Sequence, residues 1–151
     1  MSTLTEYGDF ECPYCGNAYG DVKEARRRLG DRVTFEFRHF PIEQKHPHAL
    51  QAAEAAEAAR AQGRFEEMHD LLFENQRALE RDDLIGYARD AGVPDLDRFT
   101  RELDDHVYVD KIRAERDEGV ARGVAGTPTF LVDGQPYEGF YDAESLVYAL
   151  A

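Results

Sequence analysis

The feature that most constrains the fold is a change from strand periodicity to helix periodicity near the start of the chain, at its only two cysteines. Residues 3–7, TLTEY, alternate as in a strand, and GDFE interrupts the alternation just before Cys12. A helix follows at once, because Pro13 suits the first helical position and apolar residues then recur at Ala18, Val22, Ala25 and Leu29. The transition therefore puts Cys12 at the N-terminus of a helix.

A second strand and a long helical stretch come next. RVTFEFRHF, residues 32–40, alternates between two faces and ends at Pro41. From about residue 47 to 123 the patterns are helical, in several short helices separated by turn residues. This stretch is predicted to be a helical insertion.

The last part of the chain returns to strand patterns and closes with a helix. TFLV at 129–132, the turn pair Asp133 and Gly134, and a short strand around 137–140 predict a hairpin. DAESLVYAL predicts the closing helix. No stretch resembles a linker, so we predict a single α/β domain over residues 1–151 with the helical insertion at about 47–123.

Charge and hydropathy narrow the classes of partner. The 151 residues include 31 acidic and 18 basic side chains, a formal charge of −13. Nucleic acid is therefore not expected as a partner, because basic residues supply most of that affinity. No run of 18 apolar residues occurs, so no membrane-spanning helix is expected. The high charge favours a monomer.

The N-terminal residues indicate the cellular compartment of the chain as given. MSTLTEYGDFE has no basic segment, no apolar segment and no small-residue cleavage site of the kind that a secretory signal needs. We therefore expect a cytoplasmic protein for the chain as given, and an extracytoplasmic one if a leader was removed.

A reactive pair is one interpretation of C-P-Y-C. Unpaired N–H groups and the positive dipole at a helix N-terminus favour an anion, which stabilises a thiolate on Cys12. The thiolate is the nucleophile in disulfide exchange and also a good leaving group. Cys15 lies three residues on, on the same helix face and within bonding reach. This interpretation predicts that Cys12 forms a mixed disulfide with a substrate and that Cys15 resolves it.

Two other interpretations of the cysteines stay open at this point. A zinc site would take two more ligands from the five histidines, His39, His46, His48, His69 and His106. The chain has no second C-x-x-C and no H-x₃₋₅-H pair, only HPH at 46–48, which disfavours zinc. An inert structural disulfide that closes so short a loop would remove little chain entropy.

Four segments together resemble the DsbA-like branch of the thioredoxin superfamily over essentially the whole chain. They are EYGDFECPYCG, FRHFPIEQKHPHALQAAEAAEAA, GRFEEMHDLLFENQ and GVAGTPTFLVDG. The resemblance implies a thioredoxin-like fold with a helical insertion between its β-α-β and β-β-α halves. It also implies an enzyme that exchanges disulfides with protein or peptide thiols and with a redox partner, without a bound cofactor or metal.

The resemblance assigns roles to the first motif. Cys12 matches the family's nucleophile and Cys15 its resolving thiol. Pro13 and Tyr14 match the dipeptide that tunes the reduction potential and adjoins the substrate. The best-known periplasmic oxidants have Pro-His here, so the resemblance implies a weaker oxidant.

The resemblance also assigns roles to Thr127 and Pro128, which match a pair joined by a cis peptide bond in the family. Thr127 would pair with an extended substrate and hold its cysteine over Cys12. The alternative is a trans proline that starts an edge strand.

Glu6 lies on the strand beneath the predicted active-site helix, where the family keeps a buried acid. Desolvation there would raise the pKa of the carboxyl, which could then accept a proton from Cys15. The alternative is an ordinary solvated glutamate. His39 is expected to be a satisfied core or edge histidine.

Several neighbouring residues bear on the site less directly. Phe10, Tyr14 and Phe130 could floor a peptide groove, but aromatic residues at such positions are more often part of a core. Asp9 and Glu11 stand close to Cys12 in sequence and would oppose its ionisation.

Two alternatives to an oxidant remain. A protein disulfide reductase or isomerase would use the same residues and differ only in potential and partner. A peptide-binding holdase whose cysteines sense redox state belongs to a different class. Replacing Cys12 with serine would leave a holdase active but would abolish turnover.

Overall fold

The computed structural model of the protein describes residues 1–151 and contains four strands and seven α-helices. In chain order these are β1 Ser2–Gly8, α1 Pro13–Leu29, β2 Val33–His39, α2 Ala49–Arg60, α3 Phe65–Glu74, α4 Arg81–Asp90, α5 Leu96–Asp104, α6 Val109–Ala121, β3 Thr129–Val132, β4 Gln135–Tyr137 and α7 Ala143–Leu150. A 3-10 turn, Gly30–Arg32, joins α1 to β2. None of the helices combines the length and the apolarity that crossing a membrane requires.

The four strands form one sheet in the order β2-β1-β3-β4. β1 runs parallel to β2 and antiparallel to β3, and β3 and β4 form an antiparallel hairpin. A parallel pair needs a crossover connection, which α1 supplies. The helices α2 to α6 lie between β2 and β3 in the chain. This arrangement confirms the predicted α/β, thioredoxin-like fold with a helical insertion between its two halves.

The hairpin differs from its prediction in the position of its second strand. Asp133 and Gly134 form the expected turn, both with positive φ, at 50° and 81°. Because the loop has only two residues, pairing resumes at once, with Val132 opposite Gln135. The prediction of a strand around 137–140 is therefore wrong, since the strand is Gln135–Tyr137.

Apolar side chains pack on the sheet and among the inserted helices. The predicted apolar face of α1 is buried together with Leu4 of β1, Phe130 of β3 and Leu146 of α7. The largest apolar cluster lies in the insertion and extends to Phe10 and the two cysteines. The inserted helices therefore pack directly against the segment that carries the cysteines.

A buried ionic network ties the insertion to β2. The buried Glu57 carboxylate of α2 accepts hydrogen bonds from His39 Nε2 at 2.8 Å and from Arg60 Nε at 3.0 Å, and Lys111 of α6 also contacts it. Burial alone would raise the pKa of this carboxyl, but its bonds to His39 and Lys111 hold the pKa below the usual range. His39 is thus the core histidine that the sequence predicts, but it is only partly satisfied, because its Nε2 pairs with Glu57 while its Nδ1 is buried without a hydrogen-bond partner.

Candidate active site

Cys12 occupies the N-cap position of α1. Its φ of −71° and ψ of 124° are extended, and no side chain caps this helix end. Pro13 fills the first helical position. The N–H groups of the first turn have no acceptor within the helix, so they are available to the Cys12 sulfur. The backbone N–H of Cys12 donates to Asp9 O at 3.1 Å.

The two thiols are both free and buried, but their pKa values move in opposite directions. Cys12 is 3% exposed and Cys15 is fully buried. A hydrogen bond from Cys15 lowers the pKa of Cys12 to about 5, against the effect of burial, and the backbone N–H groups of Cys15 and Tyr14 add to the lowering. The same thiol–thiol hydrogen bond, burial and the Glu6 charge raise the pKa of Cys15 far above its usual value. Cys12 is therefore a thiolate at neutral pH and Cys15 a thiol.

Thr127 and Pro128 lie beside Cys12, although 115 residues separate Thr127 from it in sequence. The peptide bond between them is cis, so the alternative of a trans proline is wrong. The Thr127 backbone oxygen is 3.7 Å from Cys12 Sγ. The Thr127 hydroxyl is buried and has no hydrogen-bond partner within the protein. The fold thus brings both predicted substrate-binding segments together at one sulfur.

Glu6 lies on β1 and is only 3% exposed. Burial raises the pKa of its carboxyl to about 8, against the attraction of the Arg26 charge. Its carboxyl is close enough for its charge to raise the pKa of Cys15. The same residue reaches a cavity of about 350 Å³ that His69 and Phe73 also line. The alternative of a solvated strand glutamate is therefore wrong.

The aromatic and proline residues near the site divide into exposed and buried ones. Pro13 is exposed, and the Tyr14 side chain is 65% exposed beside the nucleophile. Phe10 and Phe130 are buried, and Phe10 stacks on Phe37 with 5.1 Å between ring centroids. Of the three aromatic residues considered for a peptide groove, only Tyr14 is accessible to a substrate peptide, because Phe10 and Phe130 belong to the core.

Asp9 and Glu11, which shortly precede Cys12 in sequence, each form a contact with a histidine. His46 Nδ1 lies 2.7 Å from an Asp9 oxygen, and His48 Nδ1 lies 2.8 Å from a Glu11 oxygen. The bond to Glu11 raises the pKa of His48, which favours a positive charge beside that carboxylate. At Glu11 the expected opposition to Cys12 ionisation is therefore offset by His48. Sequence reasoning missed these pairs, because HPH was weighed only as a source of metal ligands.

The histidines that a zinc site would need are directed elsewhere. Each of the five has a ring nitrogen within hydrogen-bonding distance of a carboxylate: His39 with Glu57, His46 with Asp9, His48 with Glu11, His69 with Asp70 and His106 with Glu54. One set of three potential ligand atoms lies within 4.8 Å, on Glu66, His69 and Asp70, and it contains neither cysteine. Its two acids pair with Arg26 and Lys23. The geometry therefore does not support a cysteine-based zinc site.

Comparison with known families and structures agrees with this geometry. A family described as Thioredoxin matches residues 1–151. The chain belongs to the thioredoxin family. Among solved structures, a thioredoxin-like oxidoreductase from Silicibacter pomeroyi DSS-3 is similar, with a TM-score of 0.83, 28% identity and coverage of 98% of this chain and 83% of that one. The reduced disulfide bond oxidoreductase DsbG of Mycobacterium tuberculosis has a TM-score of 0.81 and 25% identity, over 99% of this chain and 76% of that one. These findings confirm the predicted resemblance to DsbA-like thiol-disulfide oxidoreductases.

Curated relatives of higher identity are longer proteins. The Na(+)/H(+) antiporter NhaA 1 of Mycobacterium sp. strain KMS is 40% identical over 149 residues, which are 97% of this chain and 24% of that protein. NhaA 1 of Salinispora arenicola strain CNS-205 is 45% identical over 148 residues, 98% of this chain and 22% of that protein. The chain thus spans about a quarter of the length of these relatives.

Proposed function

We propose that the protein is a thiol-disulfide oxidoreductase that exchanges disulfides with protein or peptide substrates through a mixed disulfide on Cys12. The observation that carries the proposal is the contrast between two adjacent sulfurs: Cys12 lies at the N-terminus of α1 and has its pKa lowered to about 5, whereas Cys15 is fully buried and has its pKa raised. Such a contrast suits a pair in which one sulfur attacks or leaves as a thiolate and the other stays protonated until it is needed.

In the oxidising direction the enzyme starts as the Cys12–Cys15 disulfide. A substrate thiolate attacks Cys12 Sγ, the bond between the two cysteines breaks, and Cys15 leaves as a thiolate. The neutral Glu6 carboxyl then gives its proton to Cys15, which the raised pKa values of both groups favour. A second substrate thiolate attacks the substrate sulfur of the mixed disulfide, and Cys12 leaves as a thiolate. The substrate has lost two electrons, and the enzyme has gained them as a dithiol.

Restoring the enzyme disulfide needs a second redox partner, which takes up those two electrons. No bound cofactor enters this scheme, because the electrons pass only between sulfur atoms. Thr127 would hold the substrate backbone beside Cys12, and the exposed Pro13 and Tyr14 would adjoin the substrate chain.

The low pKa of Cys12 favours the oxidant over the reductase or isomerase. Stabilising the thiolate stabilises the dithiol form, which makes the disulfide form a stronger oxidant. Tyr14 makes the pair a weaker oxidant, because it lacks the positive charge with which a histidine at the same position would stabilise the Cys12 thiolate. The reduction potential decides between these directions.

The first experiment is equilibration of the pure protein with glutathione buffers, followed by quantification of free thiols. We expect a potential above about −200 mV for an oxidant, whereas a value of about −270 mV would indicate a reductase. If the cysteine pair does not interconvert between dithiol and disulfide in these buffers, the proposal is overturned and a structural role for the cysteines is favoured instead.

A second experiment separates the roles of the two sulfurs. Cys15→Ser should accumulate mixed disulfides with thiol-containing peptides, because the resolving thiol is missing. Cys12→Ser should accumulate none, since the remaining thiol is fully buried, and burial and the Glu6 charge still raise its pKa when the hydrogen bond to Cys12 is lost. Retained substrate binding with no exchange in the unaltered protein would instead identify a holdase.

A further inference from the structure

Gln76 contacts the backbone of residues 10–12, the segment that joins β1 to α1, although it belongs to neither of these elements. This residue follows α3 in the helical insertion, and its Nε2 donates to Phe10 O at 2.9 Å and to Cys12 O at 2.8 Å. Both hydrogens of the amide are therefore used on two carbonyls of one short segment. The orientation of the amide follows from these neighbours, because the reverse orientation would bring three oxygens together.

The other side of the Gln76 amide lies against the first turn of α1. A Cβ added to Gly16 would be 2.1 Å from Gln76 Oε1 and 2.7 Å from its Cδ, so only glycine admits this side chain here. Gly16 is also the residue whose N–H donates to Cys12 O, at 3.1 Å. The amide thus fits between the segment that precedes the nucleophile and the helix that follows it.

These contacts fix the peptide plane between Cys12 and Pro13. The Cys12 carbonyl, which lies in that plane, accepts from Gln76 and from Gly16, and the Cys12 N–H, which lies in the preceding peptide plane, donates to Asp9 O. Rotation of that plane would turn the first turn of α1 relative to the sulfur. The backbone N–H groups of that turn lower the pKa of Cys12, so their direction matters to the thiolate.

We propose that Gln76 is a positioning residue of the redox site, which stabilises the Cys12 thiolate by holding the Cys12 carbonyl and thereby the N–H groups of the first turn of α1. The inference deepens the proposed function and rests on it, because it assigns the oxidising strength of the cysteine pair partly to the helical insertion. Gln76 touches no reacting atom and acts through the backbone of Cys12.

Gln76→Glu tests the inference with almost no change of shape. An ionised carboxylate cannot donate to the two carbonyls, so we expect the pKa of Cys12 to rise by about one unit. The equilibrium with glutathione should move up to tenfold towards the enzyme disulfide, which corresponds to about 30 mV. The matched control is Asn75→Asp, the same chemical change one residue earlier, where the side chain donates to Leu71 O instead.

A second pair of variants removes the contact without touching Gln76. Gly16→Ala must displace the amide, whereas Gly20→Ala, in the same helix, meets no atom within 4 Å. Alanine is the better helix former at both positions, but only Gly16→Ala also breaks the two Gln76 hydrogen bonds, so we expect the unfolding midpoint of Gly16→Ala to be the lower of the two. Gly16→Ala alone should raise the pKa of Cys12, which a lower unfolding midpoint by itself would not change.

The pKa of Cys12 is read from the pH dependence of its alkylation by iodoacetamide, which needs no exchange with a substrate. A wild-type protein that fails to exchange disulfides would therefore refute the proposed function while leaving the Gln76 measurement intact. Equal pKa values in Gly16→Ala and Gly20→Ala would overturn the inference. Equal shifts in Gln76→Glu and Asn75→Asp would also overturn it, because a general charge effect would then suffice. If Gln76→Glu does not fold, the glycine pair decides.

Discussion

Replacing Glu6 with glutamine should abolish a loss of stability that the wild-type protein undergoes as pH rises. The pKa of the Glu6 carboxyl is about 8 in the folded protein, against 4.5 for the ordinary group. Between these values the unfolded chain has lost the proton and the folded chain retains it. Folding therefore takes up a proton, and each pH unit in this window lowers the free energy of unfolding by about 1.4 kcal/mol.

The size of the effect follows from the same two values. The decrease in the free energy of unfolding caused by Glu6 is absent below pH 4.5, amounts to about 3 kcal/mol at pH 7 and levels off at about 5 kcal/mol above pH 8. Glutamine has nearly the same shape and carries no charge at any of these values. Glu6→Gln should therefore equal the wild type in stability near pH 4.5 and exceed it increasingly up to about pH 8.

Urea unfolding at pH 4.5, 7 and 9 measures the difference. Glu36→Gln on the neighbouring strand β2 is the matched control, because it makes the same chemical change at a side chain that is 44% exposed to solvent. A difference between Glu6→Gln and wild type that stays constant with pH would refute the reasoning, because the carboxyl would then ionise alike in both states.

Three other perturbations test the thiols, the buried network and the exposed dipeptide. Alkylation should reach half its maximal rate at about pH 5 and modify Cys12 alone; initial modification of Cys15 would contradict the assignment. Glu57→Ala should lower the free energy of unfolding by about 3 kcal/mol, because it leaves buried His39 without its partner; a loss below about 1 kcal/mol in urea unfolding would show that the network is dispensable. Tyr14→His should shift the glutathione equilibrium towards the dithiol, because a nearby imidazolium stabilises a thiolate; an unchanged equilibrium would show that the side chain does not act on the sulfur.

Much of the fold could be predicted from local patterns. The alternation of strand β2 and the helical spacing of Ala18, Val22 and Ala25 are properties of neighbouring residues, and both elements formed where expected. The register of the hairpin was less accessible. It depends on how the two residues Asp133 and Gly134 close the turn, which sequence spacing alone did not resolve.

The candidate site also has features that local sequence patterns predict and features that they do not. A cysteine before a proline at a strand-to-helix transition indicates a helix N-terminus, and the structure has Cys12 there. The partners of that segment come from distant parts of the chain. No pattern singled out Gln76 or the pairing of His46 with Asp9, because a hydrogen bond between remote side chains leaves no periodic signal.

The sequence by itself determined the order of elements and the position of the cysteine pair at the start of α1, because helix and strand periodicities and end signals act over a few residues. Only the tertiary structure decided that Glu6 is buried, that Phe10 and Phe130 belong to the core, and that Thr127 lies against Cys12. Burial and proximity are properties of packed elements. The opposite pKa shifts of the two thiols therefore arise only once the sheet, α1 and the inserted helices enclose them.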